Sequence, residues 1–594
     1  MVFALLALLA APARAQVASS AAPAIDVVWP PDGGRVEFTT RTFTFGSVTP
    51  GATLYVNGQL VVAQPSGAFF AMVPVSTGRA AFDYAAAWQG VSVSTRRVLE
   101  IASRDGLPET APDAVAVLEP LADVELYPGD VLGVRCKGPP GRTLVFRAFG
   151  LTASLPMPES SAVPGLYAGH YVVQAADRGE GLKVRCGYQR GLFRGKTAEA
   201  PGKVTIADPG QRGVAVTSGK LTVLKSDAQG YSLFLPAGVK LETAGRRGAS
   251  TRVVLSESDE AWVDSARLQL LPPGTPPPRG RIGKYASVAV GSDSVRVLLD
   301  AEERLPFEVR QTLEPLAFQV RFFGAAQRLD RIHYPSDDPV VRELRWRQES
   351  SRVVAIDVET RLRWGWGYDA FYDDRGHFVL EIRRPPDLAG AGPVLAGRRV
   401  VVDAGHGPEK SAVGPLQTAE RDVNLAIAEQ LRARLEAEGA SVAMIRVSSD
   451  GPPLADRGSL AAQSRGDLYV SVHNNAFPAS ADPFEVPRGY MVFYYHPQSR
   501  GLAEAVHAAY RARHPELGDE SVRWGDLAVC RTTQMPSILT ESAYVILPEQ
   551  EALLRDPAYQ ARLAETLASG IRSYYESYRA LQKAEPAEAK AARR

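Results

Sequence analysis

Three consecutive valines, Val400, Val401 and Val402, run straight into Asp403-Ala404-Gly405-His406-Gly407. An apolar β-branched run of this length reads as a buried strand. The glycine-bracketed turn ends the strand and presents one histidine. In open α/β sheets, ligands gather beyond the carboxyl ends of the strands, so His406 stands where such a fold places its chemistry. A lone histidine in a turn is more often structural, and the weight of His406 depends on whether the rest of the chain supplies partners.

The residues that follow alternate helical and strand periods. Val423, Ile427, Leu431 and Leu435 recur at fourfold spacing within residues 416–438, the mark of an amphipathic helix, and Gly439 ends it. Residues 442–446, 467–472, 489–495 and 536–541 read as strands. Residues 454–464, 501–513 and 561–578 read as helices. This alternation predicts a sheet flanked by helices on both faces. The strand ending at Val472 delivers His473-Asn474-Asn475, and the strand ending at Thr540 delivers Glu541. Glu420 lies at the entry to the first helix. Two histidines and a carboxylate suit a catalytic zinc with one position left for water. A further glutamate beside that water suits a general base. Of the other histidines nearby, His507 and His514 are expected on the surface, and His496, which follows a strand, is a candidate for a substrate or acid role.

A chain of 594 residues exceeds one core and calls for several domains. The formal net charge of +1 excludes a nucleic-acid role. Residues 2–11 form an apolar run too short to span a bilayer. Pro12-Ala13-Arg14-Ala15 follows it, so residues 1–15 read as a signal peptide cut after Ala15, although no Lys or Arg precedes the apolar run. No later stretch is long and apolar enough for a transmembrane segment. The mature chain is expected in the periplasm or secreted. Of three cysteines, Cys136 and Cys186 sit on strand-like segments of one domain. In an oxidising compartment a disulfide between them is expected, with two buried thiols as the alternative. Cys530 reads as a small buried hydrophobe on a strand-like run.

Residues 25–105 carry short alternating strands and the hairpin signal Asn57-Gly58. With Pro31-Asp32-Gly33-Gly34, Phe45-Gly46-Ser47-Val48 and Val56-Asn57-Gly58 they resemble immunoglobulin-like β-sandwiches of secreted bacterial enzymes. Residues 113–208 form a second β-domain. Residues 212–272, with Trp262-Val263 and Leu268, resemble the small bacterial Src-homology-like barrel. Pro272-Pro273-Gly274-Thr275-Pro276-Pro277-Pro278 is a stiff extended linker. Residues 280–386 are again strand-rich. Trp364, Trp366 and Tyr368 offer aromatic faces suited to stacking on sugars, though strand aromatics more often belong to a core.

Four short motifs carry a specific resemblance: Asp403-Ala404-Gly405-His406-Gly407, Glu420-Arg421-Asp422-Val423-Asn424-Leu425, Ser471-Val472-His473-Asn474-Asn475-Ala476, and Met535-Pro536-Ser537-Ile538-Leu539-Thr540-Glu541. Residues 396–578 resemble the zinc-dependent N-acetylmuramoyl-L-alanine amidases. The resemblance implies that His406, Glu420 and His473 bind Zn²⁺ and that Glu541 is the catalytic carboxylate. It implies peptidoglycan as substrate, cut between muramic acid and L-alanine. Arg457 matches an arginine usual in the family. Asp403, Asn474, Arg457 and His496 are candidates for second-layer or substrate contacts, Asp403 as the group that steadies the turn. Residues 280–386, just ahead, resemble the AMIN-type domain that directs some periplasmic amidases to the wall. The chain departs from the family at Pro408-Glu409-Lys410, at Ala462-Gln463 and at Ser542-Ala543-Tyr544. Residues 477–488 are short and proline-rich, and so are not expected to form the inhibitory helix that some members insert there.

The expected architecture is therefore multidomain: several N-terminal all-β modules of sandwich and small-barrel types, then a C-terminal α/β zinc-hydrolase domain with a mostly parallel sheet, and a disordered tail at 579–594. Other cell-envelope proteins are candidate partners for the β-modules. Two other readings remain open at this point: a zinc peptidase acting on the stem peptide, and a non-catalytic wall-binding scaffold.

Overall fold

The hairpin signal at Asn57-Gly58 is realised. Asn57 and Gly58 take positive φ of 49° and 76°, the pair a two-residue hairpin needs, and they join strands Thr53–Val56 and Gln59–Val61. The structure, a computed structural model, describes residues 22–103, 114–148, 150, 153–188, 197–219, 221–226, 230–388 and 390–591. The leader expected over residues 1–15 lies outside the described residues. Among the described residues no helix is long and apolar enough to cross a membrane.

The N-terminal two-thirds of the described chain is sheet. Strands from Ile25–Trp29 to Val91–Ile101 form one sheet of three strands and one of five. Their facing side chains, among them Leu54, Phe69, Phe82 and Leu99, are buried in one cluster. In the second unit Cys136 and Cys186 are bonded. They tie strand Val131–Lys137 of a three-stranded sheet to strand Gly179–Tyr188 of another and are buried in that unit's core. The two units expected over 113–208 and 212–272 are not separate sheets. Strand Val124–Leu126 pairs antiparallel with strand Lys240–Arg247, so both contribute to one 12-stranded sheet. The proline linker at 272–278 does not divide the cores either: Leu224 and Val263 before it share a buried cluster with Val297, Phe318 and Leu380 after it.

From Arg399 onward helices appear. The strands are β1 (Arg399–Ala404), β2 (Ser441–Met444), β3 (Leu468–Asn475), β4 (Gly489–Tyr494), β5 (Gly518–Trp524) and β6 (Ser537–Tyr544). The helices are α1 (Glu420–Ala437), α2 (Leu454–Gln463), α3 (Arg500–Arg513), α4 (Pro548–Leu554) and α5 (Pro557–Ala591). The sheet order is β2-β1-β3-β6-β4-β5. Every pairing is parallel except β4 with β6, so the sheet is mixed but mostly parallel. The valine run splits across it. Val400 and Val402 pack with Ile427 and Leu431 of α1 and Leu567 and Ile571 of α5. Val401 points the other way, with Ala461 of α2 and Cys530. Gly439, at φ 88°, closes α1 as expected, and the Ala440 N–H reaches back to the Leu435 carbonyl at 3.0 Å.

Several expectations are corrected. β5 and α4 were not foreseen: β5 is a charged edge strand without a clean two-residue period, and α4 has only seven residues. Cys530 lies in a 3-10 turn, Ala528–Arg531, not on a strand. Helix α5 continues to Ala591, through most of the expected disordered tail. Trp366 is buried, stacked on Tyr574 with centroids 5.6 Å apart, and Tyr368 packs edge-on against Phe318. These aromatics are core where the 280–386 unit meets the catalytic domain, not a sugar platform.

The disulfide closes a chain separation of 50 residues, for which loop entropy contributes about 4 kcal/mol. Cys186→Ser should lower the unfolding temperature of this unit in calorimetry under non-reducing conditions, and dithiothreitol should reproduce the loss in the unsubstituted chain. An unshifted transition in both would contradict this.

Candidate metal centre

His406 and Glu420 bracket the loop that leaves β1 and enters α1, and His473 lies near the end of the neighbouring β3. Their donor atoms all fall within 4.8 Å of one another. Glu420 stands between the imidazoles. Its Oε2 is 2.9 Å from His406 Nε2, and its Oε1 is 3.2 Å from His473 Nδ1. Burial opposes ionisation of Glu420, but the two imidazoles outweigh it and hold the carboxyl well below the usual carboxylate range. A charged carboxylate and two imidazole nitrogens converging on one point form a donor set suited to a divalent metal.

The turn that presents His406 is held from beneath. His406 takes φ 64°, a left-handed conformation that costs on the order of 1 kcal/mol or more for a residue with a side chain. Two buried guanidinium groups fix it. Arg457 Nη1 donates to Asp403 Oδ1 at 2.6 Å and to the Ala404 carbonyl at 3.1 Å, and its Nη2 donates to the His406 carbonyl. Arg446 donates to the carbonyls of Ala404 (2.8 Å), Gly405 (3.0 Å) and Arg421 (2.6 Å). Asp403 is fully buried and also accepts from Tyr469 (3.1 Å) and Ser471 (3.0 Å). Its charge is thus paired and its lone pairs are used.

Gly405 permits the close approach of the second histidine, because a Cβ there would overlap the His473 ring. Asn424, one helical turn after Glu420, donates to Glu420 Oε1 at 3.1 Å and to the Gly405 carbonyl at 3.3 Å. Asn474 gives its backbone N–H to Glu420 Oε1 at 3.3 Å and its side-chain amide to Asn424 Oδ1 at 2.8 Å. Both asparagines therefore orient the carboxylate, as outer groups of metal sites do.

Glu541 is the register partner of His473 across the parallel β3–β6 ladder. Its Oε2 is shut off from solvent and has no hydrogen-bond partner. Burial first, then the charges of Glu420 and Glu520, push its carboxyl well above the usual value. Glu520 is itself buried. It accepts from the Tyr544 hydroxyl at 2.7 Å and pairs with Arg523 at 3.0 Å.

The structure brings His406, Glu420, His473 and Glu541 together, with Asp403, Arg457 and Asn474 beneath them. It does not bring His496. Because β4 runs antiparallel to β6, with Met491 opposite Glu541 and Tyr494 opposite Ile538, His496 lies at the far end of the sheet, roughly 17 Å away at ~3.4 Å per residue. There it is buried, bonded to the Arg531 carbonyl at 2.9 Å, and burial pushes its pKa down to about 4. His507 and His514 are buried too. His507 lies 2.7 Å from Asp519, and His514 lies 2.9 Å from Thr566. Arg446 and Asn424 were missed. The four-residue step from Glu420 was a signal for Asn424, whereas nothing in the sequence marks Arg446. Residues 477–488 form no helix beyond the turn Pro483–Glu485.

Gly405→Ala should displace His473 and weaken divalent metal binding about 10- to 100-fold, read as Kd by chelator competition, with the far-UV circular dichroism retained. An unchanged Kd would show that the close approach is not needed.

A family model described as N-acetylmuramoyl-L-alanine amidase matches residues 400–573. The Staphylococcus aureus "Probable cell wall amidase LytH" is 29% identical over 184 residues. That match covers 30% of this chain and 60% of the staphylococcal protein, so the chain spans less than two-thirds of that curated relative. Among solved structures, N-acetylmuramoyl-L-alanine amidase AmiC2 of Nostoc punctiforme is 30% identical, with 30% of this chain and 99% of that one covered and a TM-score of 0.29. The catalytic domain of the amidase CwlV from Bacillus (Paenibacillus) polymyxa is also 30% identical, with 30% and 98% covered and a TM-score of 0.28. The family match and the sequence identity, both falling on the domain that holds His406, Glu420, His473 and Glu541, mean that this chain belongs to the N-acetylmuramoyl-L-alanine amidase family.

Proposed function

We propose that the chain hydrolyses peptidoglycan at the amide between the lactyl group of N-acetylmuramic acid and L-alanine of the stem peptide, with Zn²⁺ held by His406, Glu420 and His473. The observation that carries this reading is the unpartnered, buried Oε2 of Glu541 beside the three converging metal donors. When bound, zinc supplies Lewis acidity, lowering the pKa of water and polarising a carbonyl. The Glu541 carboxylate takes the proton of the attacking water as the water oxygen bonds to the amide carbon. The same carboxyl group returns that proton to the nitrogen of L-alanine as the carbon–nitrogen bond breaks. The products are a lactyl carboxylate and a peptide with a free L-alanine amine. Glu541 can serve in both directions because its surroundings raise its proton affinity.

The reading places the chain outside the cytoplasm. The apolar leader and the Cys136–Cys186 bond support that, as does the cell-wall setting named for a relative. The β-modules would hold the catalytic domain against the wall or against other envelope proteins.

Glu541→Gln keeps the shape and removes the base. Release of peptides with free L-alanine amines from purified sacculi should fall about 10²- to 10⁴-fold, with one zinc per chain retained. Equal release by the substituted and unsubstituted chains would refute the mechanism. New termini within the stem peptide would identify a peptidase instead.

A further inference from the structure

The two segments that lead away from the histidines both reach the N-terminal module. Residues 407–419 join His406 to Glu420, and within them Gln417 donates from Nε2 to Asp26 Oδ2 at 2.8 Å. Residues 476–488 leave β3 just past His473 and enter β4. Since β6 lies between β3 and β4, this segment must cross the carboxyl end of β6, the end that carries Glu541. At its start Phe477 lies flat on Tyr544, with centroids 4.0 Å apart and planes 2° apart.

Farther along, the segment is gripped from outside. The Thr42 hydroxyl donates to the Ala479 carbonyl at 2.6 Å, Arg41 pairs with Asp482 at 3.1 Å, and Phe484 sets its edge against Phe70 at 6.0 Å. Phe43 and Phe45, on strand Arg41–Val48 with Arg41 and Thr42, are buried in the catalytic domain's own core cluster, with Phe70 and Phe477 packed against it. The segment has little internal structure to hold it in place. It contains one 3-10 turn, and Pro478, Pro483 and Pro487 lack the N–H that backbone bonding would need.

We propose that the N-terminal module is a strut for the active-site cleft, tying the rim that follows His406 to the rim that follows His473. The substrate groove then has a wall held by two modules, and Arg41, Thr42 and Phe70 are positioning residues that touch no reacting atom. The metal-binding side chains are fixed separately, by β1, β3 and α1. Loosening the strut therefore loosens the wall and leaves the donor set in place. The effect on substrate rests on the amidase reading, whereas the effect on the segment itself does not.

The test uses the full chain with Arg41→Asp, which sets a carboxylate against Asp482, combined with Thr42→Val, which removes only the hydroxyl. Amide hydrogen exchange of the metal-free protein should speed up by about tenfold across residues 476–488 and stay unchanged within strand Val91–Ile101 of the module. KM for soluble peptidoglycan fragments should rise roughly fivefold, with kcat within about twofold and zinc content unchanged. Adding Asp482→Asn removes the repulsion and still caps the Pro483–Glu485 turn, so it should return exchange and KM towards the starting values. Unaltered exchange in 476–488, or an equal fall in kcat and zinc content, overturns the strut. If the unsubstituted chain releases no peptides with L-alanine amines while the exchange response is present, the amidase reading fails and the strut stands.

Discussion

The site depends on one buried charge pair. Arg457 and Asp403 are 2% and 0% exposed, and between them they fix the end of β1 and the carbonyl of His406. The left-handed turn at His406 is unfavourable by itself. It persists because Arg457 and Arg446 supply donors to three successive carbonyls, those of Ala404, Gly405 and His406. Burying ions this way is stabilising only when each is paired and hydrogen-bonded. Here Tyr469 and Ser471 complete Asp403, and backbone oxygens complete the arginines. The candidate metal donors sit on top of this arrangement.

The two ends of the catalytic sheet are used differently. The carboxyl ends of β1, β3 and β6 carry His406, His473 and Glu541, and the segments that cross there meet the N-terminal module. The opposite end meets the 280–386 unit. Arg383 donates to the carbonyls of Gly466 and Gln534 at 2.7 and 3.1 Å, just ahead of β3 and β6, and Trp366 lies against α5. The antiparallel β4 decides the fate of His496. A strand inserted against the prevailing direction delivers its following residue to this structural end, where the histidine is desolvated and held neutral.

Much of the catalytic domain was legible because its signals are local. Val400 to Val402, the fourfold spacing in α1 and the glycine at its end each reflect burial or backbone geometry within a few residues. The four side chains of the candidate site were legible for a related reason: each lies near the carboxyl end of a strand or opens a helix. His507 and His514 are buried rather than on the surface because α3 packs the side that carries them against the domain's core. Val506, Tyr510 and the two histidines lie on or next to one buried stripe, and spacing from Tyr510 to His514 could have shown it. Arg446 had no signal, since its role is defined by carbonyls some forty residues away.

The sequence by itself marked the catalytic domain's class, the candidate metal donors, the carboxylate beside them and the cysteines able to bond, because strand period, turn chemistry and residue type act at short range. Only the tertiary structure decided the strand order, the reversed β4, the sheet shared between two β-units, the burial of Trp366 between modules and the seating of the N-terminal module on the cleft. Those features depend on which distant surfaces bury each other, and apolar burial is not directional enough for a local pattern to name its partner.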